Sequence, residues 1–463
     1  MSAIAGIARQ GERALVKQML DKIAYRGHGR PRIIELDGAT LGVVANVPAS
    51  IRQPPSFFQC AVWDGPRPPL PMAEQVGAAH SAFSLAAGKP DGVFLARDAI
   101  GVRPLYYGRT EDGVLCFASE VKALLDATRA VHEFPPGCLA DPGEQPRPFR
   151  GLHVEDAAGL PVEALARRLR LLLEQAVARR IDAPAMGSWV SGGLDSSAIA
   201  ALARPHLEIL HTFAGGLEGA PDLAYARQMA DHLHSEHHEV IVTVPGLLKA
   251  LPQVIYHLES FDALLVRSTL LNYLVAEAAS HFVGSSFSGE GGDELFGGYD
   301  YLKEIPVEEL PAELVEITGR LHNTALQRVD RSASAHGLVI YVPLLDMDVV
   351  DFALRVPPEW KIRRDGEGIE KYIFRLAMQG LLPDEVLWRP KAKFWQGAGV
   401  ETLLEEQARE TVTDADFARE RLLPNGWQLN TKEELLYYRI FKEHFGEFAD
   451  LSWMGRTKGA PVA

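Results

Sequence analysis

The chain has 463 residues, 47% apolar and 23% charged, with a formal net charge of -14. That length predicts two or three domains with ordinary cores, and the acidic balance excludes a nucleic-acid backbone as partner while leaving room for a small nucleotide held by backbone N–H groups and a metal ion. Three cysteines, Cys60, Cys116 and Cys138, form no disulfide framework and no zinc spacing. No stretch has the length and apolarity of a signal peptide or a membrane span, the run over 264–275 being broken by Arg267 and Asn272, so the expected location is the cytoplasm.

Residues 1–150 are rich in Pro and Gly and carry short strand-like runs at 41–47, 93–96 and 114–118. A turn-rich linker over 135–151 closes this part. A helix follows from Pro161, with Leu165, Leu169, Leu172 and Val177 on its apolar face. Its arginines, Arg167, Arg168, Arg170, Arg179 and Arg180, read as a solvated face.

Strand and helix then alternate. Residues 186–190 read as a strand, 196–204 as a helix, 209–213 as a strand, 224–233 as a helix and 240–244 as a strand. This order predicts a parallel sheet covered on both faces, with mainly helical structure from about residue 306. His232, His234, His237 and His238, beside Glu236 and Glu239, have metal-ligand chemistry. The alternation Val240-Ile241-Val242 instead reads them as a polar loop leading into a strand.

The strand at 186–190 enters Ser191-Gly192-Gly193-Leu194-Asp195-Ser196-Ser197 and then a helix. Two glycines allow a tight turn, and the helix N-terminus presents orphan N–H donors. Ser191, Ser196 and Ser197 add hydroxyls, so the loop suits a pyrophosphate. A carboxylate at Asp195 would repel phosphate unless Mg²⁺ lies between them. The plainer alternative makes Asp195 or Ser196 a helix N-cap. A second loop, Ser288-Gly289-Glu290-Gly291-Gly292-Asp293-Glu294-Leu295-Phe296-Gly297-Gly298-Tyr299, places three carboxylates within five positions. Such density calls for a shared metal or proton.

The first loop resembles that of ATP pyrophosphatases, which cleave ATP between the α- and β-phosphates. The two loops together resemble the asparagine synthetase family. The resemblance continues through Gly219-Ala220-Pro221-Asp222-Leu223, Val342-Pro343-Leu344-Leu345-Asp346, Glu370-Lys371-Tyr372-Ile373 and Trp388-Arg389-Pro390-Lys391. It spans roughly 160–445 and is fainter before that. It implies an α/β chain in two parts. Residues 1–150 would form an N-terminal-nucleophile αββα sandwich, a degenerate glutaminase. Residues 160–463 would form a parallel-sheet ATP-pyrophosphatase domain with a helical C-terminal part.

The resemblance also implies roles. ATP and Mg²⁺ are the expected cofactors. Asp195 and Asp293 would hold the metal. Ser191, Gly192, Gly193, Ser196 and Ser197 would bind phosphates, with Ser288 and Gly289 against the nucleotide. Glu290 would sit near an acyl-adenylate and assist attack by ammonia, and Lys391 would stabilise charge in amide formation. Aspartate and ammonia are the expected substrates, and a homodimer fits the same expectation.

The chain departs from the family pattern in both halves. Ser2 stands where the family has a cysteine nucleophile, and the segments Arg-Leu-Ser-Ile, Asn-Gly-Glu and Ser-Asp have no counterpart. A hydroxyl is a far weaker nucleophile than a thiolate, so glutamine hydrolysis is expected to be lost. Val339-Ile340-Tyr341 replaces Glu-Ala-Arg, and Phe394-Trp395-Gln396-Gly397 replaces Phe-Ser-Asp-Gly. These changes keep two other readings open. One is a ligase that closes an amide within a different acid, as β-lactam synthetases and lasso-peptide cyclases do. The other is a nucleotide-binding protein without catalysis.

Overall fold

The structure, a computed structural model, describes residues 2–45, 51–52, 60–65, 82–154, 159–365, 368–390 and 403–457. The expected α/β architecture is present. Among the described residues, seventeen strands form three sheets.

The first sheet holds β1 (Ser2–Ile7), β2 (Arg32–Leu36), β3 (Ala39–Ala45), β8 (Tyr106–Arg109), β9 (Leu115–Ala118) and β10 (Val131–Glu133), in the order β10-β8-β9-β1-β3-β2. The second holds β4 (Ile51–Arg52), β5 (Cys60–Asp64), β6 (Ser84–Lys89), β7 (Gly92–Arg97), β11 (Cys138–Ala140) and β12 (Arg147–Pro148), in the order β12-β11-β7-β6-β5-β4. Both are antiparallel. Ile4, Leu41 and Val43 of the first sheet meet Val62, Ala86, Val93 and Leu95 of the second in one apolar core. The helix Arg13–Lys22 buries Val16, Met19 and Leu20 on the outside of the first sheet. A second apolar cluster, with Trp63, Phe83 and Phe94, holds no residue of a described helix. Of the expected αββα layers, the described residues thus show both sheets and one helical layer.

The third sheet is parallel: β13 (Ala185–Trp189), β14 (Ile209–Gly216), β15 (Glu236–Ile241), β16 (Ser285–Phe287) and β17 (Val339–Tyr341), ordered β15-β14-β13-β16-β17. The helices Val162–Ala178, Leu194–Ala203 and Pro221–Leu233 contribute to the core around it. Two expectations are corrected. Residues 236–239 are not a loop; they begin the edge strand β15, whose polar side chains reflect a half-exposed position. Residues 339–341 interrupt the helical C-terminal part as the fifth strand.

The two halves share one core. Ala3, Ile7, Val16 and Leu20 belong to the same apolar cluster as Leu247, Leu251, Phe441 and Trp453. Buried charges reinforce the seam. Arg26 is fully buried and pairs with Asp64 at 3.0 Å, Glu120 at 2.8 Å and Asp330 at 2.8 Å. Burial alone would lower its affinity for the proton, but Asp330, Asp64 and Glu120 outweigh that and hold it above its ordinary value.

Candidate active site

β13 and β16 are neighbours, and from them the strand order runs outward in opposite directions. In parallel α/β sheets such a switch point opens a crevice at the carboxyl ends of the strands. The loop after β13 carries Ser191–Asp195 and the loop after β16 carries Ser288–Asp293, so both acidic loops flank this crevice.

The first loop is braced by its own hydroxyls. The Gly193 N–H donates to Ser191 Oγ at 3.3 Å, the Ser191 N–H to Ser196 Oγ at 3.2 Å, and Ser196 Oγ to the Gly193 carbonyl at 3.3 Å. Gly193 occupies the N-cap without a side-chain cap, and Asp195 lies in the first turn of the helix Leu194–Ala203. The N-cap alternative for Asp195 and Ser196 is therefore set aside: Asp195 reaches across to the other half of the site.

The second loop comes within touching distance of the first. A Cβ on Gly289 would stand 2.6 Å from the Ser196 nitrogen, and one on Gly292 would stand 2.4 Å from Asp195 Cγ. Glycine is required there because backbone and carboxylate already fill the space.

Between the two carboxylates lies Lys371, a residue of the Glu-Lys-Tyr-Ile segment with no role evident along the chain. Its Nζ is 2.5 Å from Asp195 Oδ2 and 2.5 Å from Asp293 Oδ1. Burial disfavours its charge, yet Asp195 and Asp293 more than compensate and hold the ammonium above its ordinary pKa. Next to Asp293, Glu294 is buried and receives a hydrogen bond from the Tyr299 hydroxyl. Burial and the neighbouring Asp293 charge push its carboxyl up to about 7.

A cavity of about 590 Å³ opens over these groups. Ser191, Gly193, Asp195, Ser196, Ser288, Gly289, Glu290 and Asp293 all line it. Ser197, itself part of the helix Leu194–Ala203, is fully buried and lies off this lining, as does Gly192, whose backbone packs against Tyr225. Lys391 lies outside the described residues, as does 394–397. The neighbouring Arg389 is placed: it donates to Asp222 at 2.6 Å, stacks over Tyr225 and lines the cavity.

Elsewhere on the lining, Arg328 grips Glu290, with Nη2 2.7 Å from each carboxylate oxygen. Nothing in the local sequence marks Arg328, which projects from the helix Ala325–Ser334. Leu264, Leu265, Val275, Ile317 and Leu321 form the apolar part of the wall. The chamber thus carries two acidic groups, each held by a cation, beside an apolar wall.

Comparison with known proteins assigns the family. A profile described as asparagine synthase matches residues 168–321 and 308–458, and one described as glutamine amidotransferase domain matches 78–140. The glutamine-hydrolysing asparagine synthetase 2 of Arabidopsis thaliana is 36% identical over 393 residues, covering 80% of this chain and 67% of that protein. This chain belongs to the asparagine synthetase family. Asparagine synthetase B of Escherichia coli is 35% identical over 79% of this chain and 69% of its own length, and the human glutamine-hydrolysing enzyme is 35% identical over 77% and 71%. The amidotransferase match lies within the first 150 residues of this synthetase-family chain.

At that terminus the Ser2 N–H donates to Asp64 Oδ1 at 3.2 Å, and Arg26 Nε donates to the Ser2 carbonyl at 3.2 Å. Ser2 is buried as the first residue of β1. Its surroundings belong to the ionic seam between the halves.

Proposed function

We propose that this chain is an ATP-dependent carbon–nitrogen ligase that converts aspartate and ammonia to asparagine, with residues 1–150 retained as a glutaminase-like frame and residues 160–463 carrying the chemistry. The observation that carries the reading is the convergence of Asp195 and Asp293 on one cationic position, now taken by the Lys371 ammonium.

Two carboxylates focused on one cation, beside phosphate-binding hydroxyls and a helix N-terminus, are the donor set that Mg²⁺-bound triphosphate needs. Asp195 and Asp293 would hold the ion, which would supply charge neutralisation for the departing pyrophosphate. Ser191 and Ser196 orient the phosphates, and Lys371 offsets their charge as it shares its two carboxylates. The substrate carboxylate attacks the α-phosphorus and pyrophosphate leaves, giving an acyl-adenylate. Ammonia then attacks the acyl carbon and expels AMP. Glu290, held by Arg328, accepts the proton released by the incoming nitrogen. The apolar wall excludes water that would otherwise hydrolyse the adenylate.

Ammonia rather than glutamine is the nitrogen source in this reading. Ser2 in place of a cysteine, its burial, and the ion-paired Arg26 beside it support that choice. A second reading keeps the adenylation and changes the acid. It is favoured by Tyr341, whose hydroxyl donates to Asp182 at 2.8 Å where the family pattern has an arginine.

One screen separates them: candidate acids, each with ammonium or glutamine, scored by AMP and pyrophosphate. Aspartate with ammonium is expected to give both products. Turnover on another acid and none on aspartate would select the second reading. ATP binding without pyrophosphate release on any acid would refute both.

A further inference from the structure

β14 and β15 pair in parallel, with His211 opposite Glu236 and Phe213 opposite His238. Side chains alternate along a strand, so residues two apart share a face. His211, Glu236 and His238 therefore project from the same face of the sheet. The imidazole nitrogens His211 Nδ1 and His238 Nε2 are 3.1 Å apart, and His211 Nδ1 is 3.5 Å from Glu236 Oε2. One donor atom from each of the three lies within 4.8 Å of the others.

We propose that His211, Glu236 and His238 form a transition-metal site of the zinc class, separate from the nucleotide site. Tetrahedral zinc with bonds of about 2.0–2.1 Å sets its ligand atoms roughly 3.3 Å apart. Two of the three separations, 3.1 and 3.5 Å, bracket that value, and the third, between His238 and the exposed Glu236 side chain, is within 4.8 Å. Two imidazoles and one carboxylate select zinc, cobalt, nickel or copper over magnesium and calcium. An imidazole–imidazole hydrogen bond accounts for the 3.1 Å contact, and a metal ion would in addition draw the Glu236 carboxylate to the same nitrogen.

The rings are held for the task. His238 stacks on Phe213 at 4.8 Å and lies 4.1 Å from Phe282, which also stands 5.8 Å from His211. The Glu236 side chain is 61% exposed, which leaves an open coordination position for water. His211 lies early in β14 and Glu236 opens β15, whereas the acidic loops leave the carboxyl ends of β13 and β16. β15 is the sheet's edge strand, so the ion would fasten that edge to its neighbour.

The full chain is stripped with chelator, then titrated with Co²⁺ in excess Mg²⁺, following the visible absorption of tetrahedral cobalt, and with Zn²⁺ in competition. One equivalent of Co²⁺ with strong visible bands, displaced by Zn²⁺, is expected. Glu236→Gln, at an exposed position that spares the fold, should weaken binding at least tenfold. His238→Asn should abolish the bands. Asp195→Asn should leave them intact, since that residue belongs to the other site. Zn²⁺ should raise the melting temperature of the parent and not of His238→Asn. Absence of a one-equivalent site in the parent, or unchanged binding in Glu236→Gln, overturns the proposal.

Discussion

Gly298 has no room for a side chain, and replacing it gives a sharp test of the acidic pair. A Cβ at this position would stand 1.9 Å from Asp293 Oδ1 and 2.2 Å from Lys371 Cε. Ordinary contacts of these types are about 3.3–4.0 Å, so both groups must retreat by more than about 1 Å. Misplacement of that size costs on the order of 10²-fold in turnover, equivalent to about 2.7 kcal/mol of barrier. The assay is steady-state pyrophosphate release by Gly298→Ala at saturating ATP, Mg²⁺ and acid. Gly319→Ala, where nothing lies within 4 Å of the added Cβ, serves as the control and should match the parent. Turnover by Gly298→Ala within about threefold of the parent, in a folded protein, would refute the claim that Asp293 and Lys371 must sit where they do.

Asp195→Ala should abolish pyrophosphate release while leaving the fold intact, and unchanged turnover would remove the residue from phosphate handling. Lys371→Met leaves two largely buried carboxylates facing each other and should cost about 3–5 kcal/mol of stability, seen as a lower melting temperature that Mg²⁺ partly restores; a melting curve like the parent's would contradict the bridge. Ser2→Ala should keep full ammonium-dependent turnover, and a loss of glutamine-dependent turnover in this variant would show that the N-terminal half still hydrolyses glutamine. Glu133 joins the halves, accepting from Arg97 Nη1 at 2.7 Å and contacting His322 at 2.7 Å. Burial opposes its charge, but His322 and Arg97 outweigh that and hold the carboxyl at about 2, below its ordinary 4.5. Its contribution, about 3 kcal/mol, is present above pH 4.5 and vanishes as pH falls toward 2. Glu133→Gln should therefore lower the urea midpoint at pH 7 and converge on the parent near pH 2; a constant gap would contradict the assignment.

The parts of the site that were legible in the sequence are those compressed into local runs. Ser191-Gly192-Gly193-Leu194-Asp195 carries its strand, turn and helix start in adjacent positions, and Gly289–Asp293 announces itself by glycines and carboxylates in one loop. Lys371 and Arg328 were not legible as site residues because their meaning lies in partners 176 and 38 positions away. Lys371 had a signal, its place in Glu-Lys-Tyr-Ile; Arg328 had none. The start of β15 was misread because an edge strand needs no apolar alternation, so Glu236-His237-His238-Glu239 looks like a loop until its register with β14 is known. The same register unites His238 with His211, a pairing invisible along the chain. Arg26 likewise takes its meaning from the fold, where it closes three carboxylates from both halves into one buried network.

Carboxylate activation at the two acidic loops is the central step. Aspartate labelled with heavy oxygen in its side-chain carboxylate, incubated with ATP, Mg²⁺ and ammonium, tests it most directly by mass spectrometry of the nucleotide product. The predicted result is AMP carrying one labelled oxygen, passed on when the acyl carbon is attacked by nitrogen. Unlabelled AMP, or label recovered in inorganic phosphate beside ADP, would contradict it.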